Sequence, residues 1–142
     1  MEAGDVLAAI RAYLTDLTPS SHVGAFDRFF SLHGAGMDGI DAADRDRAFV
    51  LVPEDGPSRS GRSRCADRIG LGLGVRYVDR PESEKQMLND VIVLREALEG
   101  LPAAVPGIKE CRVDGPRYDY QVLPDSVLVL FSLAVEFQPT SS

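Results

Sequence analysis

The sequence predicts an α+β fold in which two helices pack on one face of a mainly antiparallel sheet of four or five strands. Two segments repeat apolar residues at helical spacing, and each precedes a pair of segments in which apolar residues alternate at strand spacing. This αββαββ order is typical of a two-layer domain. The length, 142 residues, suits a single α+β domain over residues 1–142.

The first helix is predicted over residues 6–17. Asp5 is placed to serve as its N-cap, and Pro19 follows the last apolar residue. The apolar positions recur every three or four residues and form one stripe, which consists of Val6, Leu7, Ile10, Tyr13, Leu14 and Leu17.

A long connection is predicted over residues 18–46. Phe26, Phe29 and Phe30 suggest a short turn of helix within it. Connections of this length are uncommon in compact domains. We therefore expect either a packed excursion anchored by these aromatic residues or a surface that meets a partner.

The first two strands are predicted over residues 48–52 and 69–78, and Pro53 closes the first of them. One face of the second strand is apolar throughout. The other face lacks side chains at three positions, Gly70, Gly72 and Gly74. Between the strands, residues 53–68 are rich in Gly, Ser, Pro and Arg and are expected to form a mobile hairpin loop.

The second helix is predicted to begin at Pro81, and Ser83 with Gln86 can form a capping box in its first turn. Gly100 and Pro102 are expected to end it. Its predicted apolar face is wide and comprises Met87, Leu88, Val91, Ile92, Leu94, Leu98 and Leu101.

The remaining strands are predicted at residues 108–113 and 117–122, or as one bulged strand, with a turn signal at 114–116. The final strand, residues 127–137, is apolar on both faces in its first half and is expected near the centre of the sheet. Residues 139–142 are expected to be frayed.

Composition and charge exclude several classes of function. The formal net charge of −7 argues against broad binding to nucleic-acid phosphates. The longest apolar stretch, residues 127–135, is far shorter than the roughly 20 residues that cross a bilayer. The N-terminus lacks the pattern of a secretory signal. Cys65 and Cys111 are expected to be reduced thiols in a cytosolic chain.

No constellation of residues predicts catalysis, a cofactor or a metal site. The alternating glycines lack nucleotide-loop spacing, and no nucleophile motif accompanies His22 and His33. Cys65 has arginine neighbours that can lower its pKa, but a passive thiol is the simpler interpretation. Five acidic residues could suggest a cation site, but their spacing is not that of an EF-hand calcium loop. They are Asp41, Asp44, Asp46, Glu54 and Asp55. We therefore expect a protein that is not an enzyme.

A cluster of arginines is the clearest candidate binding site, and it consists of Arg59, Arg62, Arg64 and Arg68. With Glu54, Asp55 and Asp67 nearby, the cluster still gives a local excess of positive charge on an acidic chain. Such a segment can order when it docks on an acidic neighbour. Transient contact with DNA and a solvated hairpin without a partner are the alternatives.

In the order of its elements, the chain resembles the tail terminator (tail completion) proteins of long-tailed bacteriophages. The likeness rests on the helix at 5–14, the strand–loop–strand at 48–78, the helix at 82–101 and the closing strand at 127–137. The connection at 18–46 is longer than in compact members of that family.

The resemblance implies a structural virion protein of the tail, assembled in the host bacterial cytoplasm. It implies a ring, usually of six subunits, that caps the tail tube, ends tube polymerisation and forms the joint to the head. Its partners would be other copies of itself, the tail tube protein and a head-completion or neck protein. DNA would be met only in passage through the channel, and no membrane is involved.

The expected subunit and tube contacts are the edges of the first two strands together with the arginine cluster. Three alternatives stay open. The chain can be another neck or completion protein of the head–tail joint. It can also be a small non-phage enzyme or ligand-binding α+β domain that uses the sheet face at the three glycines, or a bacterial interaction module unrelated to phage.

Overall fold

The computed structural model confirms the α+β class. It describes residues 1–17, 29–31, 46–59, 66–78, 81–120 and 126–139. The elements in chain order are α1 (Ala3–Asp16), β1 (Phe30–Ser31), β2 (Ala48–Arg59), β3 (Asp67–Val78), α2 (Pro81–Glu99), α3 (Leu101–Ala104), β4 (Ile108–Asp119) and β5 (Ser126–Phe137). Relative to the predicted order, the two-residue strand β1 and the one-turn helix α3 are additional.

The strands form one sheet in the order β1-β2-β3-β5-β4. β1 pairs with β2 in parallel, and all other neighbours are antiparallel. β5 pairs with β3 along its whole length and with β4 on its other side, which is the interior position that its apolar character predicts. β3 is interior as well. The expectation that the edges of both of the first two predicted strands are open to a partner is therefore wrong for the second strand.

One hydrophobic core joins the sheet to the helices. Alternate residues of β3 and β5 enter it in register, so that Leu73 pairs with Phe131 and Leu71 with Leu133. Burying each such side chain contributes about 1.5–3 kcal/mol. The helices add Val6, Ile10 and Leu14 from α1, and Met87, Val91, Leu94 and Leu98 from α2.

α1 begins three residues earlier than predicted, at Ala3. Asp5 therefore lies in the first turn instead of at the N-cap, and its carboxylate accepts a 2.8 Å hydrogen bond from the backbone N–H of Glu2. Farther along, Arg11 Nη2 donates to the carbonyl oxygen of Leu51 at 2.9 Å. This contact ties α1 to β2.

α2 begins at Pro81 as predicted, so Ser83 is the third residue of the helix and is not the N-cap residue that the predicted capping box requires. Ser83 and Gln86 are buried, each 1% exposed, and they contribute to a polar cluster described below. The apolar face of α2 is also narrower than predicted, because Leu88 and Ile92 are 49% and 59% exposed.

The hairpin between β2 and β3 is more regular than predicted. β2 continues through Pro53 to Arg59, which pairs with Asp67. The register of β2 shifts on both sides of Asp55, and such bulges accommodate a proline within a strand. The predicted loop at 53–68 is therefore wrong in its bounds, and residues 60–65 lie outside the described ranges.

The long connection contains β1, in which Phe30 pairs with Ala48. Phe29 is buried, but Phe30 is extended, so the predicted turn of helix is wrong there. Phe26 lies outside the described residues. At the other end of the chain, the backbone N–H of Gln138 donates to the Gly107 carbonyl oxygen at 2.7 Å. Residues 140–142, in the predicted tail, are not among those described.

β4 is a single bulged strand, one of the two predicted alternatives. Its register with β5 shifts between Asp114 and Arg117. Gly115 lies within this shift and has a φ of +118°. A Cβ added there would lie 2.8 Å from the Leu130 carbonyl oxygen of β5. Both the positive φ and the lack of room for a Cβ atom therefore require glycine at position 115.

A buried ion pair joins the residue before β2 to α2. Arg47 and Asp90 are both fully buried, and two guanidinium nitrogens of Arg47 donate to the Asp90 carboxylate at 2.7 and 3.0 Å. The Tyr77 hydroxyl donates to the same carboxylate at 2.8 Å. With its amide oxygen turned toward Arg47, Gln86 accepts from the guanidinium at 3.0–3.2 Å. Asp46, which immediately precedes Arg47, accepts from the backbone N–H of Val78 at 2.7 Å, and the Ser83 hydroxyl donates to the other carboxylate oxygen of Asp46 at 3.5 Å.

Asp90→Ala is expected to lower the free energy of unfolding by about 3–5 kcal/mol, because it removes the buried carboxylate that accepts two hydrogen bonds from the Arg47 guanidinium. Urea titration followed by circular dichroism measures the change. The control is Glu99→Gln, which removes the exposed Arg95–Glu99 pair and is expected to cost at most about 0.5 kcal/mol. Equal effects of the two substitutions would contradict the structural role of Asp90.

Gly115→Ala is expected to destabilise the protein by about 1–3 kcal/mol, since alanine is strained at this φ and meets the β5 backbone. Gly56→Ala is the matched control, because a Cβ at Gly56 has no neighbour within 4 Å. Thermal unfolding of the two variants side by side tests the difference. If the Gly115→Ala variant is as stable as the control, the close approach of Gly115 to the β5 backbone is refuted.

Candidate functional site

A groove lined by charged and small residues lies on the sheet face opposite the core. Its volume is about 410 Å³, and it is open to solvent. We call it the glycine groove, and its lining consists of Glu54, Asp55, Gly70, Arg112, Val113, Asp114, Ser132, Leu133 and Ala134. Small residues of β3 and β5 lie at its base, because Gly70 pairs with Ala134 and Gly72 with Ser132.

The bulge in β2 brings two consecutive carboxylates over this base. Asp55 pairs with Gly70 while Pro53 pairs with Leu71, so Glu54 is the extra residue of the bulge. A Cβ added at Gly70 would lie 2.9 Å from Asp55 Oδ2, and one at Gly72 would lie 2.5 Å from Glu54 Oε1. The face that the sequence predicts to be bare is thus occupied at these two glycines by acidic side chains of the neighbouring strand.

Hydrogen bonding orients Glu54 within the groove. The Ser132 hydroxyl lies 3.3 Å from both carboxylate oxygens of Glu54 and donates to them. On the opposite wall, Arg112 Nε donates to Glu110 Oε1 at 3.3 Å, and both side chains are largely exposed. The lining therefore carries the carboxylates of Glu54, Asp55 and Asp114 and one guanidinium, that of Arg112. Arg112 is paired with Glu110, which does not belong to the lining. The groove is acidic.

The predicted arginine cluster lies beside this groove only in part. Arg68 belongs to β3 and is exposed, and with Glu110, Arg112 and Glu136 it lines a smaller depression next to the groove. The backbone of Arg59 ends β2. Arg62 and Arg64 lie outside the described residues.

The structure describes some of the other candidate residues from the sequence analysis, and the rest lie outside the described ranges. Asp46 is 3% exposed and bonded to the backbone, so it has a structural role. Glu54 and Asp55 belong to the groove. Asp41, Asp44, Cys65 and both histidines lie outside the described ranges. Among the residues that the structure describes, no three His, Cys, Asp or Glu side chains converge as metal ligands. No helix there has both the length and the apolar character of a membrane span.

The buried cluster around Arg47 and Asp90 was not predicted. Burial, reinforced by the Asp90 carboxylate, raises the pKa of Tyr77 well above its ordinary value, so its hydroxyl stays protonated and donates. The sequence does carry a signal for this cluster. Asp90 falls among Met87, Val91 and Leu94, and a carboxylate in an apolar stripe requires a buried partner.

Exposed apolar side chains form a second class of surface feature. The large ones in the described ranges are Leu88, Ile92, Tyr118 and Tyr120. Leu88 and Ile92 are four residues apart and so are neighbours on α2. Tyr118 and Tyr120 contribute to an open depression of about 440 Å³ at the end of β4. Aromatic residues in such positions are typical of surfaces that contact other proteins.

Comparison with known proteins adds no assignment: no protein-family model matches the chain, and no curated protein matches it significantly. The site is therefore interpreted from its own geometry. A shallow acidic groove with a base of small residues can accept a cationic segment of another chain.

The Cys111 thiol is expected to resist alkylation. Burial, together with the charges of Glu99 and Glu110, raises its pKa to about 12. At pH 8 only about one molecule in ten thousand carries the reactive thiolate, and this fraction rises about tenfold per pH unit up to that pKa.

Iodoacetamide labelling of a Cys65→Ser variant measures this reactivity, because Cys111 is then the remaining cysteine. We expect slow labelling in the folded protein at pH 8 and rapid labelling in denaturant. Equally fast labelling in both states would contradict the burial of Cys111.

Proposed function

We propose that this chain is a structural protein of the phage virion, a tail terminator that assembles into a ring of six subunits on the tail tube. In this role it ends tube polymerisation and forms the joint to the head. Its partners are other copies of itself, the tail tube protein and a head-completion or neck protein. It has no catalytic role, and it meets DNA only as DNA passes through the channel.

One observation carries the proposal beyond the resemblance in element order. The glycine groove and the depression beside Tyr118 and Tyr120 are both open to solvent, and both are lined by residues that include charged side chains. A small-molecule site is usually concave and buries most of its ligand. An open face of this kind fits the surface of another protein better than a small substrate.

The sheet edges support the same proposal. β4 is an edge strand, and β1 covers β2 only at Ala48 and Phe49, so much of β2 has no strand on its outer side within the described ranges. Charges and bulges along β4 discourage uncontrolled pairing of edges, while a shaped head-to-tail contact can still close a ring. The exposed Tyr118, Tyr120, Leu88 and Ile92 add apolar area for such contacts.

Replacing the arginine cluster, Arg59, Arg62, Arg64 and Arg68, by alanine is expected to abolish ring formation and capping of tail tubes. The reason is that the cluster supplies the positive charge for contacts on an otherwise acidic chain. Light scattering after size-exclusion chromatography measures ring formation, and electron microscopy of tubes grown with the variant measures capping. Unchanged rings and normal tube lengths would refute the role of the cluster.

Electron microscopy of particles assembled without this protein distinguishes a tail terminator from another neck or completion protein. Overlong tubes indicate a terminator, because nothing then stops polymerisation. Tails of normal length that fail to join heads indicate another neck or completion protein. A chain that leaves tube assembly unaffected, stays monomeric and binds a small polar compound in the glycine groove would instead be the ligand-binding domain.

A further inference from the structure

We infer that two copies of this chain pair through the exposed face of α2, with the two helices antiparallel and related by a twofold axis. The contact surface is the outer side of α2 and consists of Glu84, Lys85, Leu88, Ile92, Arg95 and Glu96. This inference concerns the free chain and does not depend on the proposed ring. The dimer covers Leu88 and Ile92, which also add apolar area to the proposed ring, so it is a state of the chain that precedes ring assembly.

Leu88 and Ile92 are the apolar centre of this surface. They are neighbours one turn apart on α2, and their exposed fractions are 49% and 59%. The exposed positions on either side of them carry charged side chains. A pair of large apolar side chains within a charged rim has the layout of a contact between proteins.

The charged side chains beside this centre form two rows along α2. With about 3.6 residues per turn, positions eleven apart are separated by about three turns and lie on the same side of a helix. Lys85 and Glu96 form one such row, and Glu84 and Arg95 form the other. Each row therefore carries opposite charges at its two ends, and the apolar centre lies between the rows.

An antiparallel pair of helices makes these rows complementary. The twofold axis passes between the two apolar residues, at the level of position 90, and brings each row against the same row of the second copy in reverse. Lys85 of one copy then faces Glu96 of the other, and Glu84 faces Arg95. Lys85 lies five residues before the axis and Glu96 six residues after it, so the paired charges are at nearly equal heights. The antiparallel direction also opposes the two helix macrodipoles.

The charges are available for this contact within one copy. The side chains of Glu84, Lys85 and Glu96 are exposed and make no hydrogen bond or ion pair with another residue that the structure describes. Arg95 donates through Nε to Glu99 at 3.0 Å and through Nη1 to a backbone carbonyl oxygen of β4. A guanidinium has five N–H donors, so Arg95 can keep these bonds and also bind Glu84 of the second copy.

Charge reversals within one row test the contact. Lys85→Glu places carboxylates against each other across the pair, and Glu96→Lys places ammonium groups against each other. Each variant alone is expected to weaken the dimer at least about tenfold, since opposite charges become like charges at two symmetric positions. An equimolar mixture is expected to recover the dimer, because a chain with glutamates at both positions then faces a chain with lysines at both. Analytical ultracentrifugation over a range of concentrations measures dimerisation.

Two comparisons separate the contact from effects on folding and net charge. Lys85 lies near the beginning of α2 and Glu96 near its end, where the reversed charges favour the helix macrodipole, so neither reversal is expected to weaken the helix. The charge-matched controls are Lys109→Glu and Asp114→Lys, at exposed positions of β4. Both controls are expected to dimerise as the native chain does.

The possible outcomes distinguish this contact from the proposed ring. One pair of helices is a small interface, so the dimer is expected at micromolar to millimolar concentration. If the native chain forms no particle of two chains in that range, or if the reversal variants dimerise like their controls, the α2 contact is wrong. A mixture that stays monomeric also overturns it, because in a parallel pair Lys85 would face Glu84 and mixing would not restore both contacts.

None of these results changes the proposed ring, since ring formation is measured on tail tubes. Conversely, a chain that dimerises as expected but leaves tail tubes uncapped would overturn the ring and leave the α2 contact in place.

Discussion

The buried ion pair between Arg47 and Asp90 connects the three parts of the fold. Arg47 immediately precedes β2, Asp90 lies on the inner side of α2, and Tyr77 brings the end of β3 to the same carboxylate. Charges that are fully buried are tolerated only when they are paired and hydrogen-bonded. The observed position of α2 on the sheet meets this requirement, and a shift of the helix that separated the pair would leave buried charges without these contacts.

The position of the helices on one face of the sheet also explains which residues the opposite face carries. Because the helices and the inward residues of β3 and β5 supply the core, the other face is free to carry small residues along part of its length. The bulge at Glu54 then turns two carboxylates of β2 over Gly70 and Gly72. The acidic groove is thus a product of strand register, and a regular β2 without the bulge would not bring two consecutive side chains over the same face.

Sequence patterns predicted the α+β class, α2 from Pro81 and the interior place of β5, since apolar periodicity directly records which faces are buried. They failed where long-range contacts decide the outcome. Pro53 indicated the end of a strand, yet a bulge carries β2 on to Arg59. Ser83 and Gln86 fitted a capping box, yet both are buried, Ser83 against Asp46 and Gln86 against Arg47. Leu88 and Ile92 fitted the apolar face of α2 but are exposed.

By itself, the sequence determined the fold class, the approximate positions of the long elements and the presence of both an acidic and an arginine-rich stretch, because these depend on residue type and local spacing. Only the tertiary structure decided that Glu54 and Asp55 lie over Gly70 and Gly72, and that Asp90 meets Arg47. Both results depend on the register between segments far apart in the chain, and a pattern within one segment does not encode that register.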